Sequence, residues 1–413
     1  MWIAGLVLLG LVGVYAALIV VDMIRRAARQ RVQVRRENLL FQTALSSARR
    51  RRRSAREQAL TWSGWRKFEV VRKECEDEDR QICSFYLAPH DRRPIQAYRP
   101  GQYLTLQVKA NGRPKADVRC YSLSDTPDPA QYRITVKKVC PTGDSPAVHP
   151  GVVSCYLHEN VEVGTILDVR PPGGEFFLNI DEPAPLVLVG GGIGITPMVA
   201  MANTVLNAGW PYDVWLFYGV RNRGEQVMRR HLEELARKHL NFHLRVCYSK
   251  PAADDREGQD YHHRGRVTAD LLKSELKVNN YHFYLCGPGP MMDDMQRGLS
   301  EWQVPPERIH FETFGPSAPP SRPPNPDAAG PTVSFRRSDR TVKWDAGYSS
   351  VWDFASALGV PISSGCRAGK CGECKVAIVS GQVEYNIKPS YDCEPGSCLT
   401  CCCKPRGEVV LDA

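Results

Sequence analysis

Cys366, Cys371 and Cys374 stand in the pattern C-x4-C-x2-C, inside Ser363-Ser-Gly-Cys-Arg-Ala-Gly-Lys-Cys-Gly-Glu-Cys374. This spacing holds a [2Fe–2S] cluster, given a fourth thiolate further along the chain. Five later cysteines can supply it: Cys393, Cys398, Cys401, Cys402 and Cys403. Eight of the chain's fifteen cysteines lie between 366 and 403, and the total is odd. Disulfide frameworks belong mostly to small secreted domains with even counts, so this clustering points to metal or redox chemistry in a reducing compartment. Zinc is the competing ligand. Three closely spaced cysteines in a glycine-rich loop suit the cluster better.

With 413 residues the chain is too long for one core, and two to four domains are expected. Trp2–Val21 carries no charge. About 20 helical residues span roughly 30 Å of hydrocarbon, so residues 1–24 are expected to form a transmembrane anchor. A cleaved signal peptide would carry positive charge before the apolar run; here Asp22-Met-Ile-Arg-Arg26 follows it and no Lys or Arg precedes it. Gly13 and Ala17 form a small-xxx-small pair of the kind that supports helix association. Residues 25–56 hold twelve Arg against one acid, Glu37. The formal charge of +9 therefore sits in this short collar, and the remaining chain is slightly acidic. By the positive-inside bias the collar, within residues 25–64, places the later domains in the cytoplasm against anionic lipid. A solvated charged stalk is the plainer reading. A nucleic-acid patch would use similar residues but does not fit next to a membrane span.

From residue 65 the texture becomes short alternating apolar runs between Pro and Gly turns, as in Tyr103–Val108 and Tyr132–Val136. Antiparallel strands closing a barrel are expected over 65–182. Arg119-Cys-Tyr-Ser122 opens one strand, and Gly151-Val-Val-Ser154 precedes a short helix expected over Cys155–His158. These residues suit an anionic cofactor with a flat ring. Arg119 offers a planar fork for phosphate, Tyr121 a stacking face, and Ser122 a hydroxyl for the redox-active edge of a flavin. Ser154 stands where a helix N-terminus would hold pyrophosphate. Taken singly, each also reads as ordinary structure: a surface salt bridge, a barrel plug, a turn.

Leu186–Val189 reads as a buried parallel strand ending in Gly190-Gly-Gly-Ile-Gly-Ile-Thr-Pro197, with helix from Met198. The glycines allow close approach of phosphate, and Pro197 suits a first helical turn, although it stands where G-x-G-x-x-G requires its last glycine. Val214–Tyr218 and His282–Cys286 read as further strands, so an α/β parallel sheet is expected over 183–315. Arg221 and Arg223 are candidates for a 2′-phosphate, or equally solvent-facing loop charges. Pro316–Pro331 is a Pro-rich tether with a reach of about 50 Å at about 3.1 Å per residue. Beyond it, over 332–413, Val333–Phe335 and Thr341–Trp344 read as a hairpin and Ser350–Leu358 as a helix before the cluster loop.

R-x-Y-S and G-x-x-S together resemble the flavin domain of the ferredoxin–NADP reductase superfamily. The run Arg119–Pro127 with Tyr132–Lys138 is most similar to the reductase module of flavohaemoglobins, which uses FAD. The phthalate dioxygenase reductase type, which also ends in a ferredoxin, uses FMN. Residues 332–413 resemble a plant-type ferredoxin. The resemblance covers about 65–413 and implies a β-barrel flavin domain, an NAD(P)-binding domain and an α+β ferredoxin domain of β-grasp form. It implies that Arg119, Tyr121, Ser122, Thr135, Gly151, Val153 and Ser154 hold FAD with Phe314 covering it. Gly191, Gly192, Gly194, Thr196, Pro197, Arg221, Gly287 and Pro288 would meet the nicotinamide nucleotide. The C-G-P ending at Cys286 and the E-x-F-like ending at Glu312 imply a thiol near the hydride-donating carbon and an acid that handles protons, with Ser122 as the third catalytic group. The family ending L-x-C, with Pro four residues on, is met by Leu399-Thr-Cys401 and Pro405, which makes Cys401 the fourth cluster ligand.

The expected function is a membrane-anchored NAD(P)H reductase, NADH favoured, passing electrons through FAD and [2Fe–2S] to a partner. A membrane-associated oxygenase, hydroxylase or desaturase is the expected acceptor. One alternative is a quinone-linked subunit like that of sodium-pumping NADH:quinone complexes, where the ferredoxin precedes the flavin domain; here the order is reversed. The other is a membrane redox sensor without turnover, from which loss of Glu312 and Cys286 would be expected.

Overall fold

The computed structural model describes 60–313 except 78, 110–115 and 140–150, and 324–413 except 326–327, 364, 366–368, 370, 387–388, 390 and 392. Within 1–59 it describes only Gly13, Met23, Gln30, Gln33 and Phe41, in helix. Nearly all of the expected anchor and of the basic collar thus lies outside the described residues. Among the described residues no helix is long and apolar enough to cross a membrane.

The first lobe is an antiparallel barrel. Strands β1 (Arg66–Cys75), β2 (Ile82–Pro89), β3 (Tyr103–Val108), β4 (Asp117–Ser122), β5 (Tyr132–Lys137) and β6 (Ile166–Val169) run in the order β4-β3-β6-β1-β2-β5. The two edges meet where Leu123 bridges Ile134 and Ser124 N–H donates to Arg133 O. Closure removes the open edges that an isolated sheet would expose. The inward rows of these strands, among them Phe68, Phe85, Leu104, Leu106, Ile134 and Val136, form one core. Helix α1 (Val152–Asn160) plugs it with Val153 and Leu157. Burying each such side chain stabilises the fold by roughly 1.5–3 kcal/mol. Sequence spacing placed this helix at Cys155–His158; it starts three residues earlier, with Gly151 as its N-cap, so Ser154 lies inside its first turn.

The second lobe is a parallel sheet of β7 (Leu186–Gly191), β8 (Val214–Val220), β9 (Phe242–Tyr248), β10 (His263–Arg264), β11 (His282–Gly287) and β12 (Ile309–Thr313), ordered β10-β9-β8-β7-β11-β12. Helices α2 (Ile195–Asn207), α3 (Arg229–Lys238), α4 (Ala269–Leu276) and α5 (Gly289–Glu301) cover it. The strand period of two divides β7 between two cores. Leu186 and Leu188 pack with Met198, Val199 and Leu232, and Val187 and Val189 pack with Leu272, Met295 and Leu299. This doubly covered sheet places its glycine-rich turn at the carboxyl ends of the central strands, where open α/β sheets bind ligands. Helix α2 begins at Ile195, before the Met198 that periodicity suggested, because a short 3-10 turn over Gly192–Gly194 leads directly into it.

Polar contacts and a close-packed glycine help to join these lobes. Asn203 donates to Asp125 at 3.1 Å, and Asn207 to Thr126 at 3.3 Å. At Gly101 φ is +107°, and an added Cβ would lie 2.6 Å from both Phe176 O and Met201 Cε.

The third lobe has β13 (Thr332–Phe335), β14 (Arg340–Lys343), β15 (Lys375–Tyr385), β16 (Ser397–Leu399) and β17 (Cys403–Leu411), ordered β14-β13-β17-β15-β16 with β13 and β17 parallel. Helix α6 (Val351–Ala357) lies over it, capped by Ser350, whose Oγ accepts from Asp353 N–H. The Pro-rich tether is mostly outside the described residues. Its C-terminal end is tied down, since Asn325 N–H donates to Asp345 at 3.1 Å.

Candidate functional site

Strand β4 presents Arg119, Tyr121 and Ser122 in the register Arg119–Leu106, Tyr121–Leu104 and Ser122–Tyr103. Arg119 Nη1 donates to Val118 O at 2.7 Å. Tyr121 packs on the barrel core, and burial pushes its hydroxyl well above the usual phenol range, so it stays protonated. Ser122 is 6% exposed, and its Oγ has no hydrogen-bond partner among the described residues. A buried hydroxyl without a partner is costly, and a ligand edge would satisfy it. This orphan atom, beside an Arg and a Tyr, fits a flavin.

The N-terminus of α1 faces a second arrangement. Ser154 Oγ donates to Gly151 O at 2.8 Å and accepts from Val139 N–H at 3.2 Å. Its hydroxyl therefore pins the end of β5's extension to the helix. The anion-binding capacity of this end rests on the first-turn backbone N–H groups of Val152, Val153 and Ser154, which have no intrahelical acceptor. Gly151 is required for closeness: an added Cβ would lie 2.5 Å from Ser154 Oγ and 2.8 Å from Val139 Cβ. Thr135 is 3% exposed, and its hydroxyl pairs with Ser84 and Ser124 at 2.8 Å each. These two bonds brace the barrel interior.

In the second lobe the register aligns Tyr218, Gly190, Cys286 and Glu312 in one row across β8, β7, β11 and β12. Four separate stretches of sequence converge there. Cys286 is fully buried in the core with Leu188 and Ile195; Glu312 beside it is 9% exposed. The glycine turn is tightly packed on one side and open on the other. At Gly191 an added Cβ would lie 2.7 Å from Met291 Sδ and 2.9 Å from Pro288 Cδ, and at Gly194 it would collide with the Cys286 carbonyl. At Gly192, with φ +55°, it would meet nothing within 4 Å. Thr196 Oγ1 donates to Ile193 O at 3.0 Å, holding the turn against the start of α2, and Pro197 follows within the same turn. Gly287 ends β11, and Pro288 caps α5. A close-packed glycine turn with one open side fits a dinucleotide phosphate. Phe314 lies outside the described residues.

Arg221 and Arg223 follow β8, and each already has a partner. Arg221 bonds Glu225, which raises the guanidinium pKa, and Arg223 pairs with Asp254 at 3.0 Å. Residue type alone marked the arginines; the acid four residues on was the signal overlooked.

In the third lobe Cys371, Cys374 and Cys401 are buried, and Cys374 and Cys401 bring their Sγ atoms to 3.0 Å. Cys366 lies outside the described residues. Gly365, next to it, touches Cys371: an added Cβ would lie 2.7 Å from its Sγ. Gly369 and Gly372 take φ of +69° and +78°, which wraps the loop tightly round these thiols. Cys402 Sγ lies 3.5 Å from Leu399 O and packs against Gly369, where an added Cβ would lie 2.9 Å from it, while Cys398 and Cys403 belong to the hydrophobic core of the lobe. A close buried thiol set within a glycine loop fits an iron–sulfur cluster. Sequence reading missed the contact between this loop and the barrel, where Arg170 Nη1 donates to Cys371 O at 2.6 Å.

Residues 67–178 match the oxidoreductase FAD-binding domain, 188–297 the oxidoreductase NAD-binding domain, and 334–406 the 2Fe-2S iron-sulfur cluster binding domain. The flavohemoprotein of Halalkalibacterium halodurans is 38% identical over 256 residues, covering 62% of this chain and 61% of that protein. That of Bordetella pertussis is 40% identical over 255 residues, with the same coverage of 62% and 61%. The chain thus spans about three fifths of the length of the curated relatives it matches. Among solved structures, the flavohem-like FAD/NAD-binding domain of nitric oxide dioxygenase from Vibrio cholerae is 32% identical with a TM-score of 0.54, covering 61% of this chain and 100% of that one. Phthalate dioxygenase reductase, described as a modular structure for electron transfer from pyridine nucleotides to [2Fe-2S], is 25% identical with a TM-score of 0.54, covering 85% of this chain and 98% of that one.

Proposed function

From a chain whose segments belong to the oxidoreductase FAD-binding, oxidoreductase NAD-binding and 2Fe-2S cluster-binding domains, we infer a membrane-anchored NAD(P)H-dependent reductase that delivers electrons to a separate oxygenase, hydroxylase or desaturase. The observation that carries it is the seating of the cluster loop directly on the flavin barrel, through Arg170 and Cys371. The cofactors, when bound, would supply the chemistry: acceptance of one hydride from the nicotinamide by the flavin, and relay of single electrons by the cluster.

The residues of this chain position and insulate. Arg119 and the first turn of α1 would hold the phosphates, Tyr121 would face the ring, and Ser122 would donate to the flavin edge. The glycine turn 190–194 admits the nucleotide. Glu312, set beside Cys286 by the strand register, holds the proton that accompanies reduction. Cys366, Cys371, Cys374 and Cys401 hold the cluster, and the buried setting of the last three keeps water from it. Arg221, the candidate for a 2′-phosphate, is already paired with Glu225, which favours NADH. The apolar run Trp2–Val21 and the arginine collar keep the reductase in the plane of a membrane-bound acceptor. The similarity to phthalate dioxygenase reductase, a modular structure for electron transfer from pyridine nucleotides to [2Fe-2S], supports the reading.

The test is steady NADH-driven reduction of cytochrome c, a one-electron acceptor, by the pure protein. Turnover that is lost in Cys401→Ser, together with the bound iron, supports a path through the cluster. Turnover that is unchanged in the iron-free variant removes the cluster from the path, and no turnover at all favours a redox sensor.

A further inference from the structure

The cluster loop and the flavin barrel meet at a small, specific contact centred on Arg170. This residue follows β6, where its N–H donates to Thr105 O at 2.9 Å and so fixes its backbone to β3. The guanidinium carbon stands 4.4 Å from the Trp65 ring, a cation–π arrangement that orients the fork. From there Nη1 donates to Cys371 O at 2.6 Å, and Nη2 lies 3.4 Å from Glu373 Oε1. Both acceptors lie within the C-x4-C-x2-C loop, two hundred residues away in sequence. Both charged side chains are about three quarters buried, at 27% and 25% exposure. A second point of approach lies alongside, where Gly365 comes against Val118 O. Val118 precedes Arg119, so this face of the loop borders the strand that presents Arg119, Tyr121 and Ser122.

We propose that Arg170 is a positioning residue that latches the cluster loop onto the flavin barrel and so sets the docked geometry for electron transfer between the two centres. The proposal rests on the electron path proposed above. Arg170 itself gains and loses no electron. Its bond to the Cys371 carbonyl fixes the loop at a cluster residue, and its pairing with Glu373 sets the orientation. The two bonds are charge-assisted, short-range and few, so the latch is releasable. Release would free the cluster lobe, tethered through its Pro-rich segment, to meet an outside acceptor.

The test uses the full-length protein in three variants: Arg170→Ala, Glu373→Arg, and the exchange Arg170→Glu with Glu373→Arg. Loss of one charge-assisted contact should shift the docked-to-released ratio by on the order of tenfold. In Arg170→Ala, amide hydrogen exchange over 365–375 should accelerate. In anaerobic stopped-flow with NADH, flavin bleaching should keep its rate and cluster bleaching should slow by about tenfold. The exchange variant should recover part of both. Unchanged exchange and unchanged cluster bleaching in Arg170→Ala would overturn the latch. So would loss of bound iron from that variant, which would make Arg170 a support of the cluster fold. A wild-type protein whose flavin bleaches and whose cluster never does would instead refute the electron path itself.

Discussion

Replacing Ser122 by alanine should have opposite effects on the flavin-free and flavin-loaded protein. The Ser122 hydroxyl is buried without a partner among the described residues. Leaving such a group unsatisfied costs about 1–3 kcal/mol, so its removal should stabilise the flavin-free protein by about 1 kcal/mol after the small cavity is counted. With FAD bound, the same substitution removes a hydrogen bond of about 1 kcal/mol. The binding free energy should therefore weaken by about 2 kcal/mol, roughly a thirtyfold rise in Kd. Urea unfolding of flavin-free protein gives the first number, and quenching of FAD fluorescence gives the second. Hydride transfer from NADH, followed as flavin bleaching, should slow as well. A flavin-free variant less stable than wild type, with unchanged FAD affinity, would show that the hydroxyl serves the protein and would refute the reasoning.

Glu225→Gln should release Arg221 and lower the KM for NADPH by about threefold with the KM for NADH unchanged, since an exposed ion pair contributes about 0.2–1 kcal/mol; steady-state kinetics with both nucleotides decide it. Acid should weaken the fold. Burial lowers the pKa of His158, as of His231, His262, His282 and His310, below the usual 6.5. The folded state then binds fewer protons than the unfolded, so stability is full above that pH and falls as the pH drops through it. Urea midpoints should be lower at about pH 5.5 than at about pH 7.5, and His158→Gln should flatten the profile. Deleting residues 1–24 should move the reductase from the membrane pellet to the supernatant after ultracentrifugation, without change in NADH-driven flavin bleaching.

Much of the architecture is legible in one dimension because it rests on local periodicity. The alternation of Leu186–Val189 divides between two cores as a strand covered on both faces must, and Ser350 caps its helix as its residue type suggests. The three carriers are legible for a related reason: glycine turns and cysteine spacing are local demands of cofactors on backbone. Helix starts were read late at Ile195 and Val152, because a 3-10 turn and a glycine cap leave no apolar period to follow. The Thr135 hydroxyl bonds both Ser84 and Ser124. That pairing joins β2, β5 and the segment just after β4, and is not visible along the chain. The same holds for Arg170, whose partners Cys371 and Glu373 come from another domain, and for the row Gly190, Cys286 and Glu312, which exists only once the parallel register is set.

Anaerobic titration of the purified full-length protein with NADH, followed by visible absorption and low-temperature electron paramagnetic resonance, tests the central claim most directly. The account predicts flavin bands bleached together with [2Fe–2S] absorption, and a reduced-cluster signal that appears with the first equivalents of NADH. Flavin bleaching with iron and labile sulfide present, and no cluster signal at any NADH level, would contradict it.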